Sequence, residues 1–237
     1  MKKFKFLLLA LSSILFLNVV KAQTADEIIA KHIEAIGGVE RLLALKTSVS
    51  EASLDVNGMA IAVKMTQVHN VGHRIDINAM GLENFIIQTP TEGWTFMPIQ
   101  GQASPEPTAP EVVKETADLL DIQGPLLNYK EKGHQVEFLG KEDFEGVDCF
   151  KLKLIAKGGA QITFFIDPST YYIIKSISKT KASGKEVEAT QTFSNYVKLP
   201  SGYVFPYAMT GVGPGELKIS KIELNVPVDE KIFKVSK

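Results

Sequence analysis

The sequence contains little of three features that would each indicate a class of protein. One cysteine, Cys149, occurs among 237 residues, so an internal disulfide is excluded. Arginine occurs only at Arg41 and Arg74, whereas proteins that bind nucleic-acid phosphates present clusters of basic side chains. After residue 20 no apolar run approaches the about 20 residues of a membrane-spanning helix. The composition therefore argues against a disulfide scaffold, a nucleic-acid-binding protein and a helical membrane protein.

The one long apolar run lies at the N terminus and has the form of an export signal. Lysines within the first five residues precede an apolar stretch, Phe6–Val20, which ends in Val20-Lys21-Ala22 with small residues at the cleavage positions. We predict that residues 1–22 form a signal peptide cleaved after Ala22. Cleavage removes four lysines and leaves 22 basic against 27 acidic side chains, a net charge of −5. Because no cysteine follows the cleavage site, we expect a periplasmic protein without a lipid anchor.

The start of the mature chain has the pattern of a helix. Thr24 and Glu27 are spaced as in a capping box, and one face of the following turns is apolar. The pair Gly37-Gly38 predicts the end of this helix, since glycine commonly follows a helix C-terminus.

From residue 48 onward the apolar period changes from helical to alternating. Met59–Met65 alternates strictly, Asn57-Gly58 before it is typical of a two-residue hairpin turn, and the alternation recurs almost to the C-terminus. A phase change near Ser220-Lys221 predicts a β-bulge. The sequence predicts a mainly β (α+β) protein in which about eleven antiparallel strands form one curled sheet, open as a half-barrel.

One segment interrupts the alternation. Residues 98–110 contain four prolines and predict a mobile loop, and Val112–Tyr129 has helical spacing broken at Gly124-Pro125. We therefore interpret residues 98–133 as a loop and helical lid within one domain, residues 23–237. A curled sheet beneath such a lid encloses either a packed core or a ligand cavity, and the pattern leaves both open.

No pattern of catalytic or metal-binding residues stands out. His69, His73, Arg74 and Asp76 are the only cluster near enough in sequence to suggest hydrolase chemistry, and a metal site would need ligands that this cluster lacks. We predict no enzymatic activity, no metal and no cofactor.

Several short motifs stand out along the chain. They are Ile36-Gly37-Gly38-Val39-Glu40-Arg41, Gly93-Trp94-Thr95-Phe96-Met97-Pro98, Phe165-Ile166-Asp167-Pro168-Ser169-Thr170, Phe193-Ser194-Asn195-Tyr196 and Gly202-Tyr203-Val204-Phe205-Pro206. With these motifs the sequence resembles the periplasmic outer-membrane lipoprotein-sorting family, whose members are lipoprotein carriers. The resemblance covers most of residues 24–233, and the sequence is identified as a divergent member.

The resemblance implies a half-open β-barrel with a helical lid over an apolar cavity that takes lipoprotein acyl chains. It implies a soluble carrier rather than an anchored acceptor, and partners in the lipoprotein machinery of the inner or outer membrane. The family has a Lys-Arg-Pro step whose arginine helps to latch the lid. Here the matching region reads His69-Asn70-Val71, so Arg74 is the candidate latch.

Together these observations predict a monomeric, non-enzymatic carrier that binds acylated lipoprotein or another lipid-like ligand for transport to the outer membrane. The alternatives are a periplasmic interaction module with a packed interior and an exported hydrolase. The predicted ligand-binding residues are apolar positions of the early strands and of the lid: Met59, Ile61, Val63, Ile75, Ile77, Trp94, Phe96, Leu119, Leu120, Leu126 and Leu127.

Overall fold

The computed structural model describes residues 24–56, 58–182 and 185–235. The predicted signal peptide and Asn57 of the predicted hairpin turn lie outside these ranges. None of the helices in the described ranges is long and apolar enough to cross a membrane.

Three short α-helices and three 3₁₀ turns accompany the sheet. The helices are α1 (Ala25–Ala35), α2 (Val39–Ala44) and α3 (Pro110–Thr116), and the 3₁₀ turns are Pro98–Gln100, Ala117–Leu120 and Glu230–Phe233. The predicted capping box is confirmed, because the Thr24 hydroxyl accepts from Glu27 N and the Glu27 carboxylate accepts from Thr24 N. Gly37 follows with φ of 137°, a conformation that glycine adopts without a steric cost.

Thirteen strands form a single antiparallel sheet. They are β1 (Thr47–Val56), β2 (Met59–Val68), β3 (Gly72–Ala79), β4 (Leu82–Gln88), β5 (Gly93–Phe96), β6 (Glu106–Pro107), β7 (Gln135–Phe144), β8 (Val147–Ile155), β9 (Gln161–Ile166), β10 (Ile173–Ala182), β11 (Lys185–Lys198), β12 (Val204–Thr210) and β13 (Glu216–Leu224). Their spatial order is β6-β5-β4-β3-β2-β1-β13-β12-β11-β10-β9-β8-β7. The open, curled sheet confirms the predicted half-barrel, with the two-residue β6 in the proline-rich loop among the strands beyond the predicted eleven.

The two faces of the sheet differ because side chains alternate along each strand. We call the face that carries α1 the inner face. There Phe150, Leu152 and Leu154 of β8 pack with Ile28 and Ile33 in the main core. The predicted bulge is confirmed, since Glu51 pairs with Lys221 and Ala52 with Ile219, which leaves Ser220 as the extra residue.

The inserted segment is less helical than its spacing predicts. Regular helix ends at Thr116 and the 3₁₀ turn ends at Leu120, after which residues 121–134 run as successive turns. Gly124 has φ of 94° and Asn128 has φ of 50°, so neither is in a right-handed helical conformation. Pro125 in addition lacks the amide donor that a helix needs. The helical prediction for residues 121–129 is therefore wrong, although the segment still lies across the inner face.

The outer face is covered near the C-terminus by the 3₁₀ turn Glu230–Phe233. A Cβ on Gly72 would lie 2.6 Å from the Phe233 ring, so only glycine allows this ring to lie directly on β3. Arg74 of the same strand donates from Nη1 to Ile232 O at 2.8 Å. The C-terminal segment is therefore held to the outer face of β3.

We expect the inner-face core to dominate stability. Leu154→Ala removes a side chain with 0% exposure and should lower the free energy of unfolding by about 2–5 kcal/mol through lost burial and the cavity left behind. Ile155→Ala, one residue further and 36% exposed, is the matched control and should cost less than about 1.5 kcal/mol. Urea unfolding measures both, and equal losses would contradict the assignment of faces.

Candidate ligand cavity and its cover

An apolar cavity of about 240 Å³ lies between the inner face and the elements that cover it. Its wall combines α1 and α2 with strands β9 to β12 and with the turn segment 122–127. No Asp, Glu, Lys or Arg occurs among the eighteen residues that line it: His32, Ile33, Ile36, Leu42, Leu45, Ile122, Gln123, Gly124, Pro125, Leu126, Leu127, Phe164, Ile173, Phe193, Tyr196, Val204, Phe205 and Pro206. Such a space suits an uncharged apolar group.

Three polar side chains occur in this wall, and each donates to a backbone carbonyl. His32 Nδ1 lies 2.8 Å from Tyr171 O, and a carbonyl partner requires that Nδ1 carry the proton. Gln123 Nε2 donates to Leu43 O at 3.0 Å and to Leu45 O at 3.2 Å, while the Tyr196 hydroxyl donates to Ile173 O. These bonds fix the orientation of the three side chains and use their donors.

A partly buried apolar area adjoins the cavity along the inner face. Val63 is its best-buried member on β2, at 8% exposure. Met209 of this area lies on β12 and pairs directly with Phe193 of β11, which belongs to the cavity wall. The area comprises Ala52, Leu54, Ile61, Val63, Met65, Ile75, Ile77, Met209, Leu217 and Ile219. The inner face therefore has a covered part and an adjoining open part.

The predicted ligand-binding residues fall into three groups. Leu126 and Leu127 line the cavity, and Ile61, Val63, Ile75 and Ile77 belong to the open area. Met59, on the same face at the tip of β2, is 51% exposed. We call residues 117–134, which lie over the inner face, the cover. Leu120 is buried in the cover, and the side chain of Leu119 lies outside what the structure describes.

Trp94 and Phe96 lie on the opposite face from these residues. Trp94 pairs with Ile87, which pairs with Arg74, and Phe96 pairs with Phe85. Directly paired residues share a face, so both aromatic side chains are on the outer face. The register therefore separates them from the inner-face residues with which they were predicted to form one cavity.

The cover is held at its centre by Asp121. One carboxylate oxygen lies 2.5 Å from Lys132 Nζ, and the other lies 3.4 Å from His69 Nδ1. The His69 contact gives electrostatic attraction without hydrogen-bond geometry, which leaves Nδ1 buried with no hydrogen-bond partner. Asn70 N donates to Leu120 O at 2.9 Å beside it. The β2–β3 turn and the cover thus meet at the His69–Asp121 contact and the Asn70–Leu120 hydrogen bond, beside the Asp121–Lys132 ion pair within the cover.

Two further contacts tie the ends of the cover. Asp118 Oδ2 accepts from Gly158 N at 3.0 Å in the β8–β9 turn. At the other end Lys130 Nζ lies 2.7 Å from Asp26 Oδ2 on α1. The side chains of this second pair are 68% and 59% exposed, and ion pairs so exposed contribute little to stability.

Arg74, the predicted latch, contacts other partners. Its Nε donates to Asp76 Oδ1 at 2.7 Å, and its guanidinium lies 4.8 Å from the centre of the Phe85 ring. These contacts are on the outer face, away from the cover. The contact with the cover is instead made by His69 and Asn70, which occupy the region matched to the family's Lys-Arg-Pro step.

The candidate hydrolase cluster does not converge. Arg74 and Asp76 share the outer face, while His73 alternates with them onto the inner face. The His73 Nε2 atom is buried without a hydrogen-bond partner. Within residues 24–56, 58–182 and 185–235, no three His, Cys, Asp or Glu side chains are grouped as a metal site would require. Cys149 has 0% exposure, and burial raises the pKa of its thiol, which opposes a nucleophilic role.

A larger groove of about 510 Å³ runs along β1 to β4, but its chemistry differs. Its lining includes Glu51, Lys64, Arg74, Asp76 and Glu83, with charges of both signs, and the Arg74–Asp76 pair already satisfies two of them. The smaller cavity is therefore the better candidate for a selective apolar site, despite its lower volume.

Burial lowers the pKa of all four histidines. Loss of hydration is the largest cause for His32, His69, His73 and His134. At His69 the attraction of Asp121 opposes this effect without reversing it. These side chains are therefore mainly neutral near pH 7, and folding is coupled to keeping them so.

Comparison with solved structures shows which fold this is. A LolA superfamily protein from Nitrosomonas europaea is 16% identical with a TM-score of 0.54, and the match covers 90% of this chain and 98% of that one. An outer membrane lipoprotein-sorting protein domain from Vibrio parahaemolyticus is 16% identical, with a TM-score of 0.50 and coverage of 87% and 94%. The protein shares the fold of these two structures.

The predicted resemblance is thereby confirmed at the level of structure. A DUF1329 family protein from Desulfovibrio piger is also similar, at 15% identity, a TM-score of 0.53 and coverage of 90% and 98%. No protein-family model and no curated protein matches the sequence. At these identities the likeness establishes the fold and leaves the ligand to be argued from the cavity.

Several wall residues were not predicted from the sequence. His32 lies on the apolar face of the predicted first helix, and Ile173, Phe193 and Phe205 have the pattern of ordinary strand residues. The motifs Phe193-Ser194-Asn195-Tyr196 and Gly202-Tyr203-Val204-Phe205-Pro206 did mark this region, since both supply cavity residues. A family motif in neighbouring strands was the available signal.

We expect Asp121→Asn to loosen the cover. The change removes the charge that attracts Lys132 and His69, so local opening of residues 118–134 should become easier by about 1–3 kcal/mol. Hydrogen–deuterium exchange of this segment measures the effect. Asp26→Asn alters only the exposed contacts to Lys130 and Tyr129 and should change exchange much less than Asp121→Asn; equal effects would contradict the central role of Asp121.

We expect stability to fall on mild acidification. The pKa of each histidine is lower in the folded than in the unfolded chain, where it is about 6.5. The unfolded chain therefore binds more protons below that pH, so stability is fully present above it and is lost as pH falls through the folded-state pKa values. Thermal unfolding should show a lower Tm at about pH 5.5 than at about pH 7.5, and an unchanged or higher Tm would contradict this prediction.

Proposed function

We propose that the protein is an exported, non-enzymatic carrier that binds a lipid-like ligand with its apolar chain in the inner cavity. The observation that carries this proposal is the cavity of about 240 Å³ whose eighteen lining residues include no charged side chain. The cover above it is held by a few polar contacts, and the fold is shared with a lipoprotein-sorting domain.

The size of the cavity decides how much ligand it can hold. A volume of about 240 Å³ equals that of about eight water molecules at ~30 Å³ each, and a methylene group takes up similar room. Burying about eight methylenes at ~0.8 kcal/mol each contributes roughly 6 kcal/mol, which corresponds to a Kd of tens of micromolar. One chain segment fits this space, and the adjoining open area of the inner face can take the rest of a longer chain.

The lipoprotein role is the finer part of the proposal. An acyl chain of a lipoprotein is uncharged, which suits the uncharged wall, and several chains would require the cover to move. The predicted signal peptide, Lys-rich before an apolar run, supports delivery to the periplasm, where cargo would pass between membranes. A net charge of −5 after cleavage would limit adhesion to anionic membrane surfaces.

A cavity-filling variant tests the site. Ile173→Trp places a large ring in the wall and removes the space for several methylenes. The affinity for a long-chain lipid should therefore fall at least about tenfold. Competition with the neutral probe N-phenyl-1-naphthylamine measures this affinity. Val197→Trp, at a position 39% exposed and outside the wall, is the control. Trp94 emission is a poor reporter because this side chain lies on the outer face.

The result that would contradict the proposal is a clear one. Wild-type protein that neither binds the probe nor retains lipid after gentle purification from its host, as seen by native mass spectrometry, would favour the interaction-module alternative. Equal weakening by both tryptophan variants would also remove the cavity from the proposal.

A further inference from the structure

The free polar atoms on the side chains of the cavity wall are all hydrogen-bond acceptors. The donors of His32, Gln123 and Tyr196 are all used in bonds to backbone carbonyls. What remains on these side chains is His32 Nε2, Gln123 Oε1 and the lone pairs of the Tyr196 oxygen, all of which accept hydrogen bonds. The polar side chains that line the cavity therefore offer acceptors and no donor.

His32 provides the most constrained of these acceptors. Its Nδ1 proton is fixed by Tyr171 O at 2.8 Å, and the ring has 6% exposure. Burial lowers the pKa of the ring, so near pH 7 it is neutral and Nε2 carries a lone pair. His32 lines the cavity, and among the described residues its Nε2 has no hydrogen-bond partner. The atom is therefore available to a ligand.

Gln123, which belongs to the cover, likewise has its donors bound to backbone carbonyls and its acceptor free. Both hydrogens of its amide are directed at the carbonyls of Leu43 and Leu45, which determines the amide orientation and leaves Oε1 as the free end. The side chain belongs to a residue with 7% exposure. Two residues that are each more than nine-tenths buried, one on α1 and one in the cover, thus present acceptors at the same apolar space.

Building on the proposed function, we propose that the cavity selects a neutral amphiphile whose polar end donates a hydrogen bond, such as a hydroxyl group, over a fatty-acid anion. A carboxylate or phosphate accepts hydrogen bonds only, and the eighteen lining residues supply no cation to neutralise it. Its burial would leave an unpaired charge among acceptors, which is strongly unfavourable. A hydroxyl donates to His32 Nε2, the most constrained of these acceptors, and leaves no charge unpaired.

Three ligands with the same chain length test the selection: decanol, decyl methyl ether and decanoate, each competing with N-phenyl-1-naphthylamine at about pH 8, where the acid is ionised. Decanol, the only one with a neutral donor, should bind about tenfold more tightly than the ether and decanoate, the ratio expected for one hydrogen bond to a buried acceptor. Decanoate binding as tightly as decanol, or no difference between alcohol and ether, would overturn the inference.

His32→Asn is the matched variant. An asparagine amide N–H can replace Nδ1 as the donor to Tyr171 O, whereas the acceptor at Nε2 is lost. Decanol affinity should fall to that of the ether, and ether affinity should stay unchanged; equal weakening of both ligands would show a structural role and overturn the inference. If the variant does not fold, the wild-type comparison of the three ligands still decides.

The two proposals fail in different ways. Tight binding of decanoate keeps the carrier function and removes the selection for a neutral donor. Absence of binding for all three ligands and for the probe removes the carrier function, and the selection with it.

Discussion

Burial of one apolar face of an open sheet is the constraint on which the rest of this structure depends. Thirteen strands in one antiparallel sheet expose an inner face whose β8 and β9 side chains are almost wholly apolar. An open sheet cannot bury that face by closing on itself, so α1, α2 and the inserted segment cover it. The position of every functional element follows from this need for a cover.

The cover leaves an apolar space of about 240 Å³ beneath it. A ligand chain that enters this space removes its own apolar surface and that of the wall from water, which gives binding a physical driving force without any catalytic group.

The cover is attached by a few polar contacts that differ in their exposure to solvent. Asp121, with its side chain 11% exposed, interacts with Lys132 and His69, whereas Asp26 and Lys130 meet in solvent. A few polar contacts hold the segment, and its apolar side chains Leu126 and Leu127 are the part that faces the ligand space. Opening therefore exposes the buried side chains of Leu126 and Leu127 and breaks the contacts of the cover with the β2–β3 turn, which a bound chain can offset.

Local patterns determined much of this protein. Alternation of apolar residues predicted the strands, Thr24 and Glu27 predicted the capped helix, and the phase change at Ser220 predicted the bulge, because each depends only on neighbours in sequence. They did not determine where Gly124-Pro125 would end helical structure, since the turns of residues 121–134 are stabilised by distant carbonyls of residues 43 and 45.

The site itself was decided by tertiary structure. Trp94 and Ile61 have similar strand patterns, yet the register across β2 to β5 places them on opposite faces. His32 became a cavity acceptor only because Tyr171, 139 residues away, fixes its proton. The sequence by itself determined a covered, open β-sheet; the pairing of strands and the docking of the cover decided which residues face the ligand, because both depend on contacts between segments far apart in the chain.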